Sequence, residues 1–72
     1  MKITYDAHVD AMSIRFRETT VTTRDLGDGM AAEFDADGKL VGLEILDAAK
    51  RLGGIDTLRH VTLEGIGLAV PA

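Results

Sequence analysis

The chain contains no cysteine and no tryptophan, and only one proline, one tyrosine and two phenylalanines among its 72 residues. Without cysteine there are no disulfides and no thiolate zinc centre. With two histidines, a structural metal would fall almost wholly to carboxylates. Long apolar runs are missing too: no stretch approaches the about 18 residues of a membrane span. Met1-Lys2-Ile3-Thr4-Tyr5-Asp6 has no apolar core of the kind a signal peptide carries, so a cytoplasmic protein is expected. Basic charge is also scarce. Eight Lys and Arg against twelve Asp and Glu leave a net charge of −4, and a nucleic-acid footprint is not expected from such a balance.

What is present is the composition of a globular chain, 46% hydrophobic and 28% charged, well away from the disordered class. Size is the difficulty. For a mass of 7.7 kDa, surface scaling gives roughly 11,000 Å² unfolded and about 4,300 Å² folded, so only about 60% of the surface is lost to water. Domains of this size usually need a staple or a partner. With disulfides excluded, association with another copy is the simplest remedy.

Hydrophobic alternation organises most of the sequence. Met12, Ile14 and Phe16 alternate with Ser13, Arg15 and Arg17, the period-2 signature of a half-buried strand. Ile3 and Tyr5 give a shorter version, and the Asp6–Ala11 linker between them carries turn-forming Asp6 and Asp10. Residues 19–26, rich in Thr and Val, suit a solvent-facing strand that ends in the turn Gly27-Asp28-Gly29. Met30, Ala32 and Phe34 then alternate with Ala31, Glu33 and Asp35, and Val41, Leu43 and Ile45 alternate after Asp35-Ala36-Asp37-Gly38. An Asp-Gly step between two alternating runs is a strong hairpin signal. Asp47 is placed to cap a short helix over residues 47–52, with Gly53 at the left-handed exit position. Beyond it one strand is expected near 60–64, Asp56 capping a turn of helix being the alternative. The sequence shows no repeat or interdomain linker and reads as a single domain over 1–72.

Tyr5-Asp6, Val9-Asp10-Ala11, the Asp35-Ala36-Asp37-Gly38 turn and Val41-Gly42-Leu43-Glu44-Ile45-Leu46-Asp47-Ala48 together resemble a small bacterial and archaeal family, domain of unknown function 2283. The likeness covers about residues 2–52 and leaves 53–72 as a C-terminal extension. It implies an antiparallel meander with a helix after its last strand and names no activity. Members are similar in size to antitoxins, and some sit beside small toxin-like proteins. The chain departs from the pattern at Ala7-His8, where members often carry Pro-Glu, and at Ser13, where an aromatic is common.

Four constellations carry possible chemistry. Residues 33–44 can be laid on a twelve-residue calcium loop, with Glu33, Asp35 and Asp37 at positions 1, 3 and 5, Gly38 at 6 and Glu44 at 12. The glycine-containing segment upstream is a poor helix, so a plain hairpin is the favoured reading. Asp6, His8 and Asp10 could in principle hold a metal or a general base, and a strand would set them on one face. A solvated turn whose Asp side chains accept backbone N–H groups explains them more simply. His60 has no evident partner. Ser13, Arg15 and Arg17, with Arg24 near them, could bind phosphate. Cross-strand pairing with Glu33 and Asp35, read as outward-facing, is the preferred use of these arginines. Glu44 lies inside an apolar run where burial would demand a partner, Arg15 or the N–H groups at the helix start.

Leu40 and Leu46, by alternation, lie opposite Val41, Leu43 and Ile45, so this strand is expected to be covered on both sides, one by the helix and the other by a second subunit or by Ile66, Leu68 and Val70. The expectation is therefore an α+β domain, a small antiparallel sheet of four to five strands with one short helix. It should act as a homodimeric, non-enzymatic interaction module without a cofactor, showing acid to a basic protein partner. The candidate interaction or structural polar positions are Tyr5, Asp6, Asp10, Arg15, Arg17, Glu33, Asp35, Asp37, Gly38, Gly42, Glu44 and Asp47. The rival is a ligand-binding protein or enzyme that uses Glu44 with Asp6, His8 or Asp10.

Overall fold

The computed structural model describes residues 1–65. Its five strands are β1 (Lys2–Asp6), β2 (Ala11–Arg15), β3 (Thr22–Gly27), β4 (Met30–Phe34) and β5 (Leu40–Leu46), followed by a short helix α1 (Ala48–Arg51) and a 3-10 turn over Ile55–Arg59. All neighbouring strands are antiparallel, in the order β1-β2-β5-β4-β3. The expected α+β architecture, an antiparallel sheet with a short helix after its last strand, is the one observed, but the strands are not a simple meander: β5 lies between β2 and β4, and β3 forms the edge. Residues 16–21 carry the chain from the middle of the sheet to its far edge, and β3 and β4 then bring β5 back beside β2.

Turn chemistry sets the register. Between β4 and β5, Asp35 Oδ1 accepts the N–H groups of Asp37 and Lys39, both at 2.9 Å, while the Asp35 N–H donates to the Lys39 carbonyl at 2.9 Å. Gly38, at φ 79°, occupies the left-handed position such a loop requires. Between β3 and β4, Asp28 and Gly29 both have positive φ, as a two-residue type I′ turn demands, and Asp25 Oδ1 accepts the Gly27 N–H at 2.8 Å.

Directly paired residues share a face, so the register divides the sheet by chemistry. One face carries the row Ile3, Ile14, Leu43, Ala32 and the row Tyr5, Met12, Ile45, Met30. The opposite face carries Lys2, Arg15, Gly42, Glu33 and Thr23 in one row and Thr4, Ser13, Glu44, Ala31 and Asp25 in the next. Among the described residues the buried apolar side chains are Met12, Ala32, Val41 and Ala48. Such a core is thin because a single sheet offers its apolar face to no second layer of comparable size.

Several expectations are corrected here. β2 ends at Arg15 rather than residue 17, although the Phe16 N–H still donates to the Val41 carbonyl at 2.8 Å. No strand forms over 60–64; the alternative, a helical turn after Gly54, is what the chain adopts. Leu40 and Leu46 do not keep a common phase, because a register skip between Glu33 and Phe34 sets Leu40 across from Phe34. Both remain exposed, at 46% and 52%. Residues Ile66, Leu68 and Val70, suggested as a cover, lie outside the described residues.

Candidate functional site

Asp10 is the first polar hub. It ends the β1–β2 turn in a left-handed conformation, φ 51°, which turns its carboxylate toward the start of α1. Oδ1 accepts the Tyr5 hydroxyl at 2.7 Å and the Ala49 N–H at 2.8 Å, while the Asp10 carbonyl accepts the Ala48 N–H at 2.9 Å. The cap of the helix therefore comes from a residue 39 positions earlier in the chain, and not from Asp47. Asp47 itself makes no side-chain capping bond and takes a left-handed turn into the helix. Sequence reading assigned the cap to the adjacent acid because only tertiary structure brings Asp10 there. The Ala49 N–H foremost, then the Tyr5 hydroxyl, holds the Asp10 carboxyl below its ordinary value, and the same bond to Asp10 raises the Tyr5 phenol above its own. His8 takes no part; its N–H donates to Asp6 Oδ1 at 2.9 Å in an exposed turn. Asp6, His8 and Asp10 thus form a turn, as expected, with no shared strand face.

The second hub lies on the polar face of the sheet. Glu33 stands on the polar face and pairs with Arg15, as expected, but it is 2% exposed rather than solvent-facing. The register skip explains it: simple pairing around the turn would set Glu33 against Val41, but one extra residue on β5 sets it against Gly42. Gly42 has no side chain to occupy that ground. A β-carbon there would run into Glu33 Oε1 and come within 3.0 Å of the Ile14 carbonyl oxygen. Arg15, next in the same row, donates from Nη2 to Glu33 Oε2 at 2.9 Å and from Nη1 to Glu18 Oε2 at 3.4 Å. Glu33 is the main cause of the raised Arg15 pKa. Glu33 Oε1 has no hydrogen-bond partner among the described residues. Beyond this pair Arg17 donates to Asp35, whose carboxyl is lowered chiefly by the Lys39 N–H and then by Arg17. Arg24 does not join these arginines. Its register partner Ala32 lies on the apolar face, where the guanidinium sits 5.1 Å from the Phe34 ring centre.

Glu44 occupies the middle of the same polar face, between Ser13 on β2 and Ala31 on β4. Neither partner suggested for it is used: Arg15 turns to Glu33 and Glu18, and the helix N–H groups turn to Asp10. It is half-buried and has no hydrogen bond or ion pair among the described side chains. An open cleft of about 250 Å³ adjoins it on either side. One is lined by Asp25, Asp28, Met30, Ala31 and Leu46, the other by Thr4, Asp6, Ser13 and Leu46. Asp6 and Glu44 therefore share a cleft, which His8 and Asp10 do not enter. Residues 33–44 form a hairpin, not a calcium loop between helices, and no group of three metal-ligating side chains gathers among the described residues. Among these residues no helix is long and apolar enough to cross a membrane.

A family model described as "Protein of unknown function (DUF2283)" matches residues 2–48. The match takes in all five strands and the first residue of α1. No curated protein matches the chain, and no solved structure does. The chain belongs to the DUF2283 family.

Proposed function

We propose that this protein is a non-enzymatic interaction module whose polar sheet face receives a basic surface of a protein partner. The observation that carries the reading is Glu44, which has no ion pair among the described residues and lies between two open clefts, while the neighbouring Glu33 and Asp35 are matched by arginine. Asp6 borders one cleft and Asp25 and Asp28 the other, so the negative charge extends across the sheet. Leu46 lies beside these acids and suits the methylene stem of a lysine or arginine, whose charged head would meet the carboxylates. A net charge of −4 speeds encounter with a cationic partner and disfavours other anions. In an antitoxin-like role the partner is a small basic ribonuclease, and this face masks the surface it uses for RNA.

The test is co-purification of the tagged chain from its native cell at low salt, followed by mass spectrometry. The expected result is a basic protein that is retained by the parent and lost with Glu44→Lys, with far-UV circular dichroism unchanged. Capture of no basic protein, or equal capture by both chains, removes the reading.

A further inference from the structure

We infer that the apolar face of the sheet, opposite the acidic clefts, is an interface on which a second copy of this chain seats, the two sheets stacking as a sandwich. The central strands carry the sign of it. Ile14 on β2 and Leu43 and Ile45 on β5 are only half-buried, although their strands have neighbours on both sides. In a finished two-layer domain these positions are sealed from water. Toward the sheet margins Ile3 is 44% and Met30 39% exposed. A face left this open by the described residues is unusual for a monomer and marks an interaction surface.

Charge identifies the occupant. The only charged residue that strand pairing assigns to this face is Arg24, lying over the Phe34 ring. Glu33, Glu44, Asp25 and Arg15 all stand on the other face. Two chains of −4 each therefore meet here without burying a carboxylate, whereas a strongly basic partner would gain nothing from it. The face is also large enough. Five strands at about 4.8 Å spacing, with about 3.3 Å rise per residue, span roughly 24 by 20 Å. Side-chain relief raises that projection toward the about 800 Å² per partner of a standard interface. A two-fold axis needs nothing but a self-complementary patch, and twisted sheets stacked face to face settle near 30°. The acidic clefts then point outward on both sides of the pair.

Sedimentation of the full chain over about 1–200 µM, a span set to bracket micromolar dissociation, tests this directly. The expected species has twice the 7.7 kDa chain mass. Two charges at the exposed margin, Ile3→Glu with Met30→Glu, should weaken association roughly a hundredfold, because they strand carboxylates in the contact. Thr4→Glu, on the polar face, should leave it intact. A single-chain mass for the parent at every concentration overturns the inference, as does a pair that survives the double change or is broken by Thr4→Glu. Should the double variant lose its far-UV signal, peroxide oxidation of the parent decides. Met30 should oxidise more slowly as protein concentration rises, against a constant rate for free methionine added as reference; a concentration-independent Met30 rate overturns the inference.

Discussion

The two ends of the polar sheet face treat their carboxylates in opposite ways. At the end formed by Arg15, Glu33, Gly42 and the Asp35 turn, every acid that leaves water meets a cation or backbone N–H groups. At the end formed by Ser13, Glu44, Ala31 and Leu46, an acid of the same type lies between open clefts with neither among the described residues. Both glutamates are on adjacent central strands, and both face the same way. The difference comes from what stands across the ladder: Glu33 has glycine on one side and Thr23 on the other, whereas Glu44 has alanine and serine. Glycine lets a carboxylate lie down on the sheet, where Arg15 closes over it. Glu44, with a β-carbon on either side, is half-buried between open clefts. The first end is built for stability, and the second is left available.

The largest expected effect that tests this contrast is at Gly42. Gly42→Ala places a methyl group against Glu33 Oε1 and the Ile14 carbonyl oxygen, an overpacking that should cost about 1–3 kcal/mol in urea unfolding. In a Glu33→Ala background most of this cost should vanish, because the obstructing carboxylate is gone; additive losses would show that the two positions are not coupled. Glu33→Gln comes next. It discards the charge paired with Arg15 while keeping the volume. Arg15 is 30% exposed, so the loss should be about 1–2 kcal/mol, short of the about 3–5 kcal/mol of a fully buried pair. A variant as stable as the parent would mean that the pair contributes nothing.

Acid should weaken the molecule through Asp10 and Asp35. Both carboxyls are held below their ordinary value of 3.8 in the fold. The stability they supply is thus fully present above the unfolded value and is lost as pH falls through the lower, folded values. Thermal midpoints should drop below about pH 4. In Asp10→Asn the drop should be shallower, and the near-UV signal of Tyr5, which loses an ionic acceptor, should change. An acid limb as steep as the parent's would assign the loss to other groups. At the alkaline end Tyr5 acts in the opposite sense. Its pKa is raised from 10.0, so its contribution is intact below that value and fades as pH climbs through the higher, folded one.

The legibility of these features from sequence followed the range of the interactions behind them. Alternation at 12–16, 30–34 and 41–45 is local, and so are the Asp-Gly turns, so these strands and the hairpin are readable in the sequence itself. Helix α1 was readable too, since Gly53 at φ 85° stops it where a glycine pair would. What failed was long-range. Asp10 reaches the helix across 39 positions, and no local pattern announces that. Glu33 looked solvent-facing because it alternates with Ala32 and Phe34, and a single additional residue on β5 sets it against Gly42, where it is buried. A glycine inside an otherwise apolar strand is the one signal that could have exposed the error, since it marks a bulge or a close approach.

The smallest expected change in stability is the one that bears most on function. Glu44→Gln removes a charge that has no partner among the described side chains, from a half-buried site with water in reach, so unfolding free energy should move by no more than about 0.5 kcal/mol. A structural glutamate cannot behave this way; Glu33→Gln on the same face supplies the internal reference. If Glu44→Gln proves as costly as Glu33→Gln, Glu44 belongs to the stability network, and the open end of the face is not a docking surface. If stability holds while the salt-sensitive retention of a basic partner falls, the two glutamates have divided the face between them. The division then traces to one register skip in the β4–β5 hairpin, which gave Gly42 to Glu33 and left Glu44 between Ser13 and Ala31.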